Sequence, residues 1–292
     1  MTAPSRAWAM LFIPGTADDK LGKIGRFGSP PVILDLEDSV PPDQKEESRQ
    51  RAAALIDAEG PRQRLHVRVN PAGSSLQEAD LSAVVRPGLS GVVVPKVERA
   101  TDLRAVVERI DTLERAAGMS PGQVAVMATI ETAAGVHAVD DIAAVGGRLR
   151  RLCFGAGDFA LDLGLDAPDE DGAPETVVFA KIRLVMASRV AGIEPPHDSV
   201  YPRYRDLGGL RAEARQARRL GFAGKHVIHP SQIPVVDEVF RPTAAQLARA
   251  RRLVAALEEA ERSGRGAVGV DGELVDYPIL YRARRLLQEA GE

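Results

Sequence analysis

The chain has 292 residues, of which 45% are hydrophobic, so it is long enough to bury a sizeable core in one large α/β domain or two small ones. A net charge of −3 and an aromatic content of 4% argue against nucleic-acid binding, because they supply neither a basic surface nor a base-stacking platform. The single cysteine, Cys153, excludes a disulfide within the chain and a thiolate metal cage. No apolar run approaches the roughly 20 residues that span a bilayer, and the N-terminus lacks the apolar core of a signal peptide, so we expect a cytoplasmic protein without a membrane partner.

Short apolar segments alternate with helix-like segments along most of the chain. The apolar segments lie at residues 9–14, 31–38, 65–71, 91–97, 124–130, 152–157, 192–198 and 224–230. Helical patterns lie at 18–27, 43–58, 76–85, 101–117, 132–145, 176–191, 206–220 and 243–263. This alternation predicts an α/β protein with a (β/α)8 TIM barrel over residues 1–263. A doubly wound open sheet is the alternative fold, but Pro14-Gly15-Thr16 after the first strand is not a dinucleotide-binding fingerprint.

The C-terminal segment departs from this alternation. Two short apolar runs, 266–270 and 273–275, flank Asp271-Gly272, a strong hairpin turn signal, and an amphipathic helix begins at Tyr277. The strand count of the barrel is complete before this segment begins. We therefore predict that residues 264–292 form a hairpin-plus-helix extension whose apolar side chains require a partner surface.

Polar residues follow the predicted strands at the edge where the reactive groups of a TIM barrel collect. They are Asp35, Glu37, Asp38, Arg68, Asn70, Lys96, Glu131, Asp158, His197 and His229. Glu131 and Asp158 end two consecutive predicted strands that one helix joins, so the two carboxylates should lie close together and suit a hard divalent cation such as Mg²⁺. The alternative is two solvated acids that cap the following helices.

Two mechanisms are compatible with such an edge. In the first, Glu131 and Asp158 hold Mg²⁺, which chelates a 2-oxo acid, while Arg68 supports an enolate or a carboxylate. In the second, Lys96 forms a Schiff base with a carbonyl substrate. The neighbouring carboxylates favour the protonated ammonium of Lys96, so the sequence favours the metal mechanism.

Six motifs occur in an order that resembles the HpcH/HpaI aldolase and citrate lyase β-subunit family. They are Val32-Ile33-Leu34-Asp35-Leu36-Glu37-Asp38-Ser39-Val40, Arg68-Val69-Asn70, Val94-Pro95-Lys96-Val97-Glu98, Ile130-Glu131-Thr132, Phe154-Gly155-Ala156-Gly157-Asp158 and Ile228-His229-Pro230-Ser231-Gln232. The tail Val275-Asp276-Tyr277-Pro278 resembles the stand-alone CoA-ester lyases of that family.

The resemblance implies a Mg²⁺-dependent carbon–carbon lyase, with Mn²⁺ as a substitute, that acts beside a coenzyme A thioester. By motif position, Glu131 and Asp158 would be the metal ligands, and Arg68 would bind the thioester oxygen or the substrate carboxylate. Glu37 and Asp38 would orient metal-bound water and Arg68.

The resemblance also implies a homo-oligomer, a trimer or a hexamer. In the related CoA-ester lyases the tail reaches over the barrel mouth of a neighbouring subunit, so Asp276 would be the acid/base residue of a shared site. Lys20, Lys23 and Lys45 are expected to contact the phosphates of coenzyme A, and Lys96 then balances charge in the acidic edge.

The implied reaction is the retro-Claisen cleavage of a 3-hydroxyacyl-CoA of the malyl-CoA or citramalyl-CoA type. Its products would be acetyl-CoA or propionyl-CoA and a 2-oxo acid, glyoxylate or pyruvate. The alternatives are a citrate lyase β subunit that acts on an acyl-carrier thioester and a non-enzymatic relative that only binds CoA esters. The sequence leaves open the acyl group, the direction of the reaction, an added thioesterase step and the size of the oligomer.

Overall fold

A closed barrel of parallel strands forms the larger part of the protein. The computed structural model describes residues 8–17, 30–165 and 174–291, and within them eight strands pair in sequence order until β1 meets β8. The strands are β1 Ala9–Pro14, β2 Val32–Asp35, β3 Leu65–Arg68, β4 Leu89–Val94, β5 Ala125–Ile130, β6 Leu149–Phe154, β7 Glu194–Asp198 and β8 Gly224–Val227. The predicted (β/α)8 barrel is therefore confirmed.

Helices occupy the connections between the strands from β2 onward and also follow β8. They are α1 Lys45–Glu59, α2 Ser75–Val84, α3 Ala100–Ala116, α4 Ala133–His137, α5 Val139–Ala143, α6 Ala156–Asp162, α7 Glu175–Ala191, α8 Leu207–Leu220 and α9 Ile233–Phe240, with 3₁₀ turns at Pro42–Gln44 and Pro230–Gln232. Helix ends follow local chemistry. The Asp206 side chain caps α8 by accepting from Gly209 N at 2.8 Å. Gly192, with φ +71°, ends α7 in a left-handed conformation that glycine adopts without steric cost.

Three local predictions differ from the structure. The single helix expected over 132–145 is two short helices, α4 and α5, which meet at Ala138 in a non-helical conformation (φ −91°, ψ 8°). The sixth strand, expected to extend to residue 157, ends at Phe154, and helix α6 begins at Ala156. Helix α9 lies between the eighth apolar segment and the helix predicted over 243–263, where the sequence pattern predicts no helix. The helix predicted over 18–27 lies outside the described residues.

The barrel interior contains an apolar cluster and a pair of imidazoles. Met10, Ile33, Val93, Met127 and Cys153 pack together from five strands. Burial raises the pKa of the Cys153 thiol to about 12, so the thiol is un-ionised at neutral pH and acts as core.

The imidazoles are His197 and His226, whose ring centroids lie 5.6 Å apart in an edge-to-face arrangement. A Cβ at Gly224 would lie 2.6 Å from His197 Nε2 and 2.3 Å from Trp8 O. Glycine at position 224 therefore provides the space that the His197 ring occupies.

A buried ionic cluster joins β7 and β8 to the helices outside them. Asp198 lies 2.8 Å from Lys181 Nζ of α7 and accepts a hydrogen bond from Lys225 Nζ of β8 at 2.9 Å, and Lys225 also contacts Glu213 of α8. Burial opposes the ionised form, but Lys225 and Lys181 together lower the pKa of Asp198 to about 2. The sequence analysis did not anticipate this cluster, because its members are distant in sequence.

A second compact unit begins at Phe240. It contains helix α10 Ala244–Arg262, a hairpin of β9 Val268–Val270 and β10 Glu273–Val275, and helix α11 Tyr277–Ala290. Its core consists of Ala250, Leu253, Leu257, Ala260, Val275, Leu280 and Ala283. The predicted hairpin and final helix are both present.

Asp271 (φ +50°) and Gly272 (φ +81°) are both left-handed, as a two-residue hairpin turn requires. The division between the units differs from the predicted one at residue 263, because the buried face of α10 shares its core with the hairpin and α11. In the part of the chain that the structure describes, no helix is both long and apolar enough to cross a membrane.

Candidate active site

The carboxyl end of the barrel brings five of the predicted residues together. Glu37 follows β2, Arg68 ends β3, Lys96 follows β4, Glu131 follows β5 and Asp158 lies in the first turn of α6. Asp158 is thus not at a strand tip, as the sequence analysis expected, but one short turn beyond it. The sequence Gly155-Ala156-Gly157 has no periodicity that distinguishes a strand end from a helix start.

Arg68 is held rigidly by Asp35, the residue beside it in the neighbouring strand. Arg68 Nε donates to Asp35 Oδ1 at 2.6 Å and Arg68 Nη2 donates to Oδ2 at 2.7 Å, a two-pronged pair, while the guanidinium lies over the Phe12 ring at 5.1 Å. Burial opposes the charged forms, but the pairing lowers the pKa of Asp35 and raises that of Arg68. Main-chain N–H groups of Glu37 and Ser39 also donate to Asp35. The sequence analysis placed Asp35 on this edge but did not identify it as the anchor of Arg68.

Glu131 is almost fully buried, with 2% of its surface exposed. Its Oε1 accepts a hydrogen bond from Lys96 N at 2.8 Å. A Cβ at Gly155 would lie 2.1 Å from Glu131 Oε2, so the absence of a side chain at Gly155 makes the space for this carboxylate. Burial and the nearby charge of Asp158 raise the pKa of Glu131 to about 7.

Lys96 contacts three carboxylates with its ammonium group. Nζ lies 2.6 Å from Glu37 Oε1, 3.5 Å from Asp38 Oδ2 and 3.8 Å from Asp158 Oδ1. Burial alone would lower the pKa of Lys96, but the hydrogen bond to Glu37 and the three negative charges raise it above its ordinary value. A Schiff base requires the neutral amine, so this environment disfavours the lysine mechanism.

The chemistry of these donors fits a hard divalent cation. Glu131 contacts the main-chain N–H of Lys96, and Asp158 contacts the ammonium group of Lys96. Both residues offer carboxylate oxygens to a cation. Glu37 Oε2 is buried and accepts no aligned hydrogen bond from the described residues, although Arg68 Nη1 lies 2.9 Å away as an ion pair. Glu37 Oε2 is thus able to accept from a metal-bound water.

The described part of the chain would give such a cation two carboxylates and not a complete cage. Among residues 8–17, 30–165 and 174–291, no three His, Cys, Asp or Glu side chains are grouped to hold a metal by themselves. A cation bound between Glu131 and Asp158 would take its remaining ligands from water and substrate, which is how an open catalytic site is built.

A polar network behind β2 and β3 supports Glu37. Lys45 Nζ donates to Leu36 O at 2.7 Å, Glu37 O at 2.7 Å and Asn70 Oδ1 at 2.9 Å, and Asn70 Nδ2 donates to Asp80 Oδ2 at 2.6 Å. These contacts use all three ammonium protons of Lys45 and fix the main chain that carries Glu37. The predicted contact of Lys45 with a coenzyme A phosphate stays a prediction, and this geometry gives Lys45 a supporting task as well.

The remaining predicted residues have other surroundings. Lys20 and Lys23 lie outside the described residues. His229 caps the 3₁₀ turn that follows β8, accepting from Ser231 N at 3.2 Å, and His197 is fully buried in the barrel interior. Asp276 precedes α11 in the second unit, and its side chain makes no capping hydrogen bond to that helix.

An apolar pocket of about 490 Å³ lies between α4, α6 and α7, near the chain positions of Glu131 and Asp158. Its lining residues are Ala133, Val136, His137, Phe159, Leu163, Glu175, Thr176, Phe179 and Arg183. Leu163 and Glu175 border the acidic connection between α6 and α7, of which residues 166–173 lie outside the described ranges.

Known proteins resemble this chain over nearly its whole length. It is 33% identical to the citrate lyase subunit beta of Haemophilus influenzae, over 97% of this chain and 96% of that protein. It is 33% identical to the L-malyl-CoA/beta-methylmalyl-CoA lyase of Cereibacter sphaeroides, over 96% and 93%. A crystal structure of the protein CitE from Mycobacterium tuberculosis, in complex with magnesium, acetoacetate and coenzyme A, matches with a TM-score of 0.76 and 33% identity, over 97% of this chain and 98% of that one.

The family model described as HpcH/HpaI aldolase/citrate lyase matches residues 8–230, which include the eight barrel strands and the five residues gathered at their carboxyl end. The chain belongs to the HpcH/HpaI aldolase/citrate lyase family, and the lyases among its relatives act on citrate or on CoA esters.

Proposed function

We propose that the protein is a Mg²⁺-dependent lyase that cleaves a 3-hydroxyacyl-CoA of the malyl-CoA or citramalyl-CoA type into an acyl-CoA and a 2-oxo acid. One observation carries the proposal. A rigidly held arginine, Arg68, lies at the same barrel edge as two carboxylates, Glu131 and Asp158, that suit a divalent cation. The relatives supply the substrate class, since one is a malyl-CoA lyase and another binds magnesium, acetoacetate and coenzyme A.

The reaction needs charge stabilisation at two oxygens. Cleavage breaks the bond between the thioester α-carbon and the hydroxyl-bearing carbon, the hydroxyl loses its proton, and the electron pair moves onto the thioester as an enolate. The enolate then takes up a proton at its α-carbon to give the acyl-CoA. When bound, a divalent cation stabilises the oxygen of the emerging 2-oxo acid.

Arg68 is suited to the enolate or the substrate carboxylate, because Asp35 and Phe12 fix its plane before substrate arrives. Glu37 and Asp38 would orient metal-bound water and the cationic groups. The buried Oε2 of Glu37, which pairs with Arg68 Nη1 at 2.9 Å without an aligned hydrogen bond, supports this task for Glu37, whereas Asp38 is more than half exposed.

Asp276 is our candidate for the residue that takes the hydroxyl proton. In the resemblance from which this role comes, the tail of one subunit completes the site of another, so the proposal includes a homotrimer or a hexamer. The lack of a capping hydrogen bond leaves the Asp276 carboxylate available for that task. Mixed oligomers of Asp276→Ala and Glu131→Ala should regain part of the activity. No rescue after verified subunit exchange would contradict a shared site.

The geometry of the site does not determine the choice of substrate or the cellular location. The contacts of Lys20, Lys23 and Lys45 with coenzyme A, and the cytoplasmic location, remain proposals from the sequence. A citrate lyase β subunit that uses an acyl-carrier thioester is the main alternative, since one relative carries that name. A thioesterase step after cleavage and a CoA-ester-binding protein without activity are the others.

A product assay tests the proposal directly. The purified protein should release glyoxylate from malyl-CoA or pyruvate from citramalyl-CoA in Mg²⁺ and neither in excess chelator. Thiol release would reveal a thioesterase step, since lyase cleavage alone leaves the thioester intact. Full activity of Glu131→Ala would contradict the metal mechanism, and borohydride trapping of substrate on Lys96 would establish the Schiff-base alternative.

A further inference from the structure

We propose that Lys96 sets the divalent-cation affinity of this site. Its ammonium competes with the metal for the carboxylates, while its main-chain N–H orients one of the metal ligands. The inference rests on the proposed cation site between Glu131 and Asp158. It adds that the positive charge of Lys96 repels the cation bound there. Lys96 is therefore a positioning residue and not a group that reacts with substrate.

The backbone at Lys96 is unusual for a lysine. Its φ is +50°, in the left-handed region that side-chain-bearing residues adopt only where the surroundings stabilise it. In this conformation Lys96 N donates to Glu131 Oε1 at 2.8 Å, and the next residue, Val97, donates its N–H to Thr129 O at 3.1 Å. The turn after β4 thus anchors itself on β5 and on the first metal ligand at the same time.

The side chain of Lys96 occupies a place that suits a cation. Its Nζ lies within 3.8 Å of carboxylate oxygens from Glu37, Asp38 and Asp158, and two-thirds of the side chain is shielded from water. Arg68 does not relieve this negative charge fully, since Asp35 holds it through a two-pronged pair. Lys96 is therefore the ammonium that neutralises the cluster when no metal is bound.

A metal ion and this ammonium repel each other when they share a carboxylate. A divalent ion on Asp158 would stand a few ångströms from Lys96 Nζ, in a place where partial burial weakens the screening by water. Removing the charge while keeping the main chain should therefore strengthen cation binding. The same change should weaken the metal-free fold, because the buried carboxylate of Glu37 loses its closest ammonium.

Calorimetric titration of the full-length, metal-free protein with Mn²⁺ separates these effects. Lys96→Met removes the charge and keeps the N–H that holds Glu131, and its dissociation constant should fall at least about tenfold, equivalent to about 1.4 kcal/mol. Lys96→Arg keeps the charge and should bind within about threefold of wild type. Arg99→Met is the matched control, because it removes a charge from an exposed pair with Asp102 three residues away, and its affinity should be unchanged.

Thermal unfolding provides the second measurement. Metal-free Lys96→Met should melt below wild type, and saturating Mn²⁺ should raise its melting temperature more than that of wild type. Lys96→Gly, which also relieves the positive φ and keeps the N–H, repeats the titration if the methionine variant is poorly folded, and it should bind Mn²⁺ more tightly too.

The outcomes distinguish two failures. Mn²⁺ binding that Glu131→Ala abolishes but that Lys96→Met and Lys96→Gly leave unchanged or weaken would overturn the role of Lys96 alone. Mn²⁺ binding that is absent in wild type, or that survives in Glu131→Ala, would overturn the proposed cation site itself.

Discussion

Gly155 offers the sharpest test of the candidate site, because the structure shows how far a side chain at residue 155 would push the Glu131 carboxylate. An alanine Cβ at residue 155 would lie 2.1 Å from Glu131 Oε2 and 2.6 Å from Glu131 Cβ. An ordinary contact is about 3.4 Å or more, so the carboxylate would have to move by about 1 Å, and such a misplacement is able to cost about 10²-fold in rate. We expect Gly155→Ala to lose about that much lyase activity and about 1–3 kcal/mol of unfolding free energy through overpacking.

Gly157→Ala is the matched control, since Gly157 lies two residues further along the chain, inside α6, and a Cβ there meets nothing within 4 Å, whereas Gly155 precedes the helix. It should keep its activity and stay as stable as wild type or gain up to about 1 kcal/mol from the higher helix propensity of alanine. The assays are cleavage of malyl-CoA and citramalyl-CoA over a Mg²⁺ series and unfolding in urea. A Gly155→Ala variant whose rate and Mg²⁺ dependence match those of Gly157→Ala would refute the view that Gly155 shapes the metal ligand.

Three further outcomes follow from the geometry. Arg68→Lys should reduce the rate of cleavage at least about 10²-fold while leaving the Mn²⁺ affinity near that of wild type, because an ammonium cannot reproduce the two-pronged pair with Asp35. A rate close to that of wild type would show that Arg68 has only a structural role. Asp198→Asn should lower the free energy of unfolding in urea by about 3–5 kcal/mol, because it leaves two buried lysines without their shared carboxylate. Glu238→Gln, on the surface, should unfold like wild type. Equal urea midpoints for the two variants would contradict this account. The pKa of Glu131 is raised to about 7, so below that pH Mn²⁺ must displace a proton from Glu131 before it binds. In Mn²⁺ titrations from about pH 8 to about pH 5.5, the affinity should therefore not change above about pH 7 and should decrease below it. An affinity that does not depend on pH would exclude Glu131 as a ligand.

The sequence predicted the features that depend on short segments. Strand–helix alternation was sufficient for the barrel, and Asp271-Gly272 was sufficient for the hairpin, because each signal is local. Glu131 was also predictable, since an acid that ends a buried apolar run stands at a strand tip.

The features that depend on tertiary contacts were not predictable in the same way. The pairing of Asp35 with Arg68 requires the register of β2 against β3, and the left-handed backbone of Lys96 requires the Glu131 carboxylate opposite it. Asp198 meets partners from one helix and one strand that are separated from it in sequence. Its carboxylate ends a proline-broken segment, which carries little periodicity to indicate burial.

The surroundings of each carboxylate suggest how the acidic edge divides its work. Asp35 accepts from both prongs of Arg68 and from two main-chain N–H groups, so its negative charge is fully used in positioning the arginine. Glu131 accepts one main-chain N–H and remains buried with a raised pKa, and Asp158 has its nearest ammonium at 3.8 Å. A cation binds most favourably to carboxylates whose negative charge is least compensated by hydrogen bonds and ammonium or guanidinium groups of the protein. At such a place the cation removes the repulsion between the carboxylates. The least compensated pair is Glu131, which follows β5, and Asp158, which lies in the first turn of the helix after the neighbouring strand β6.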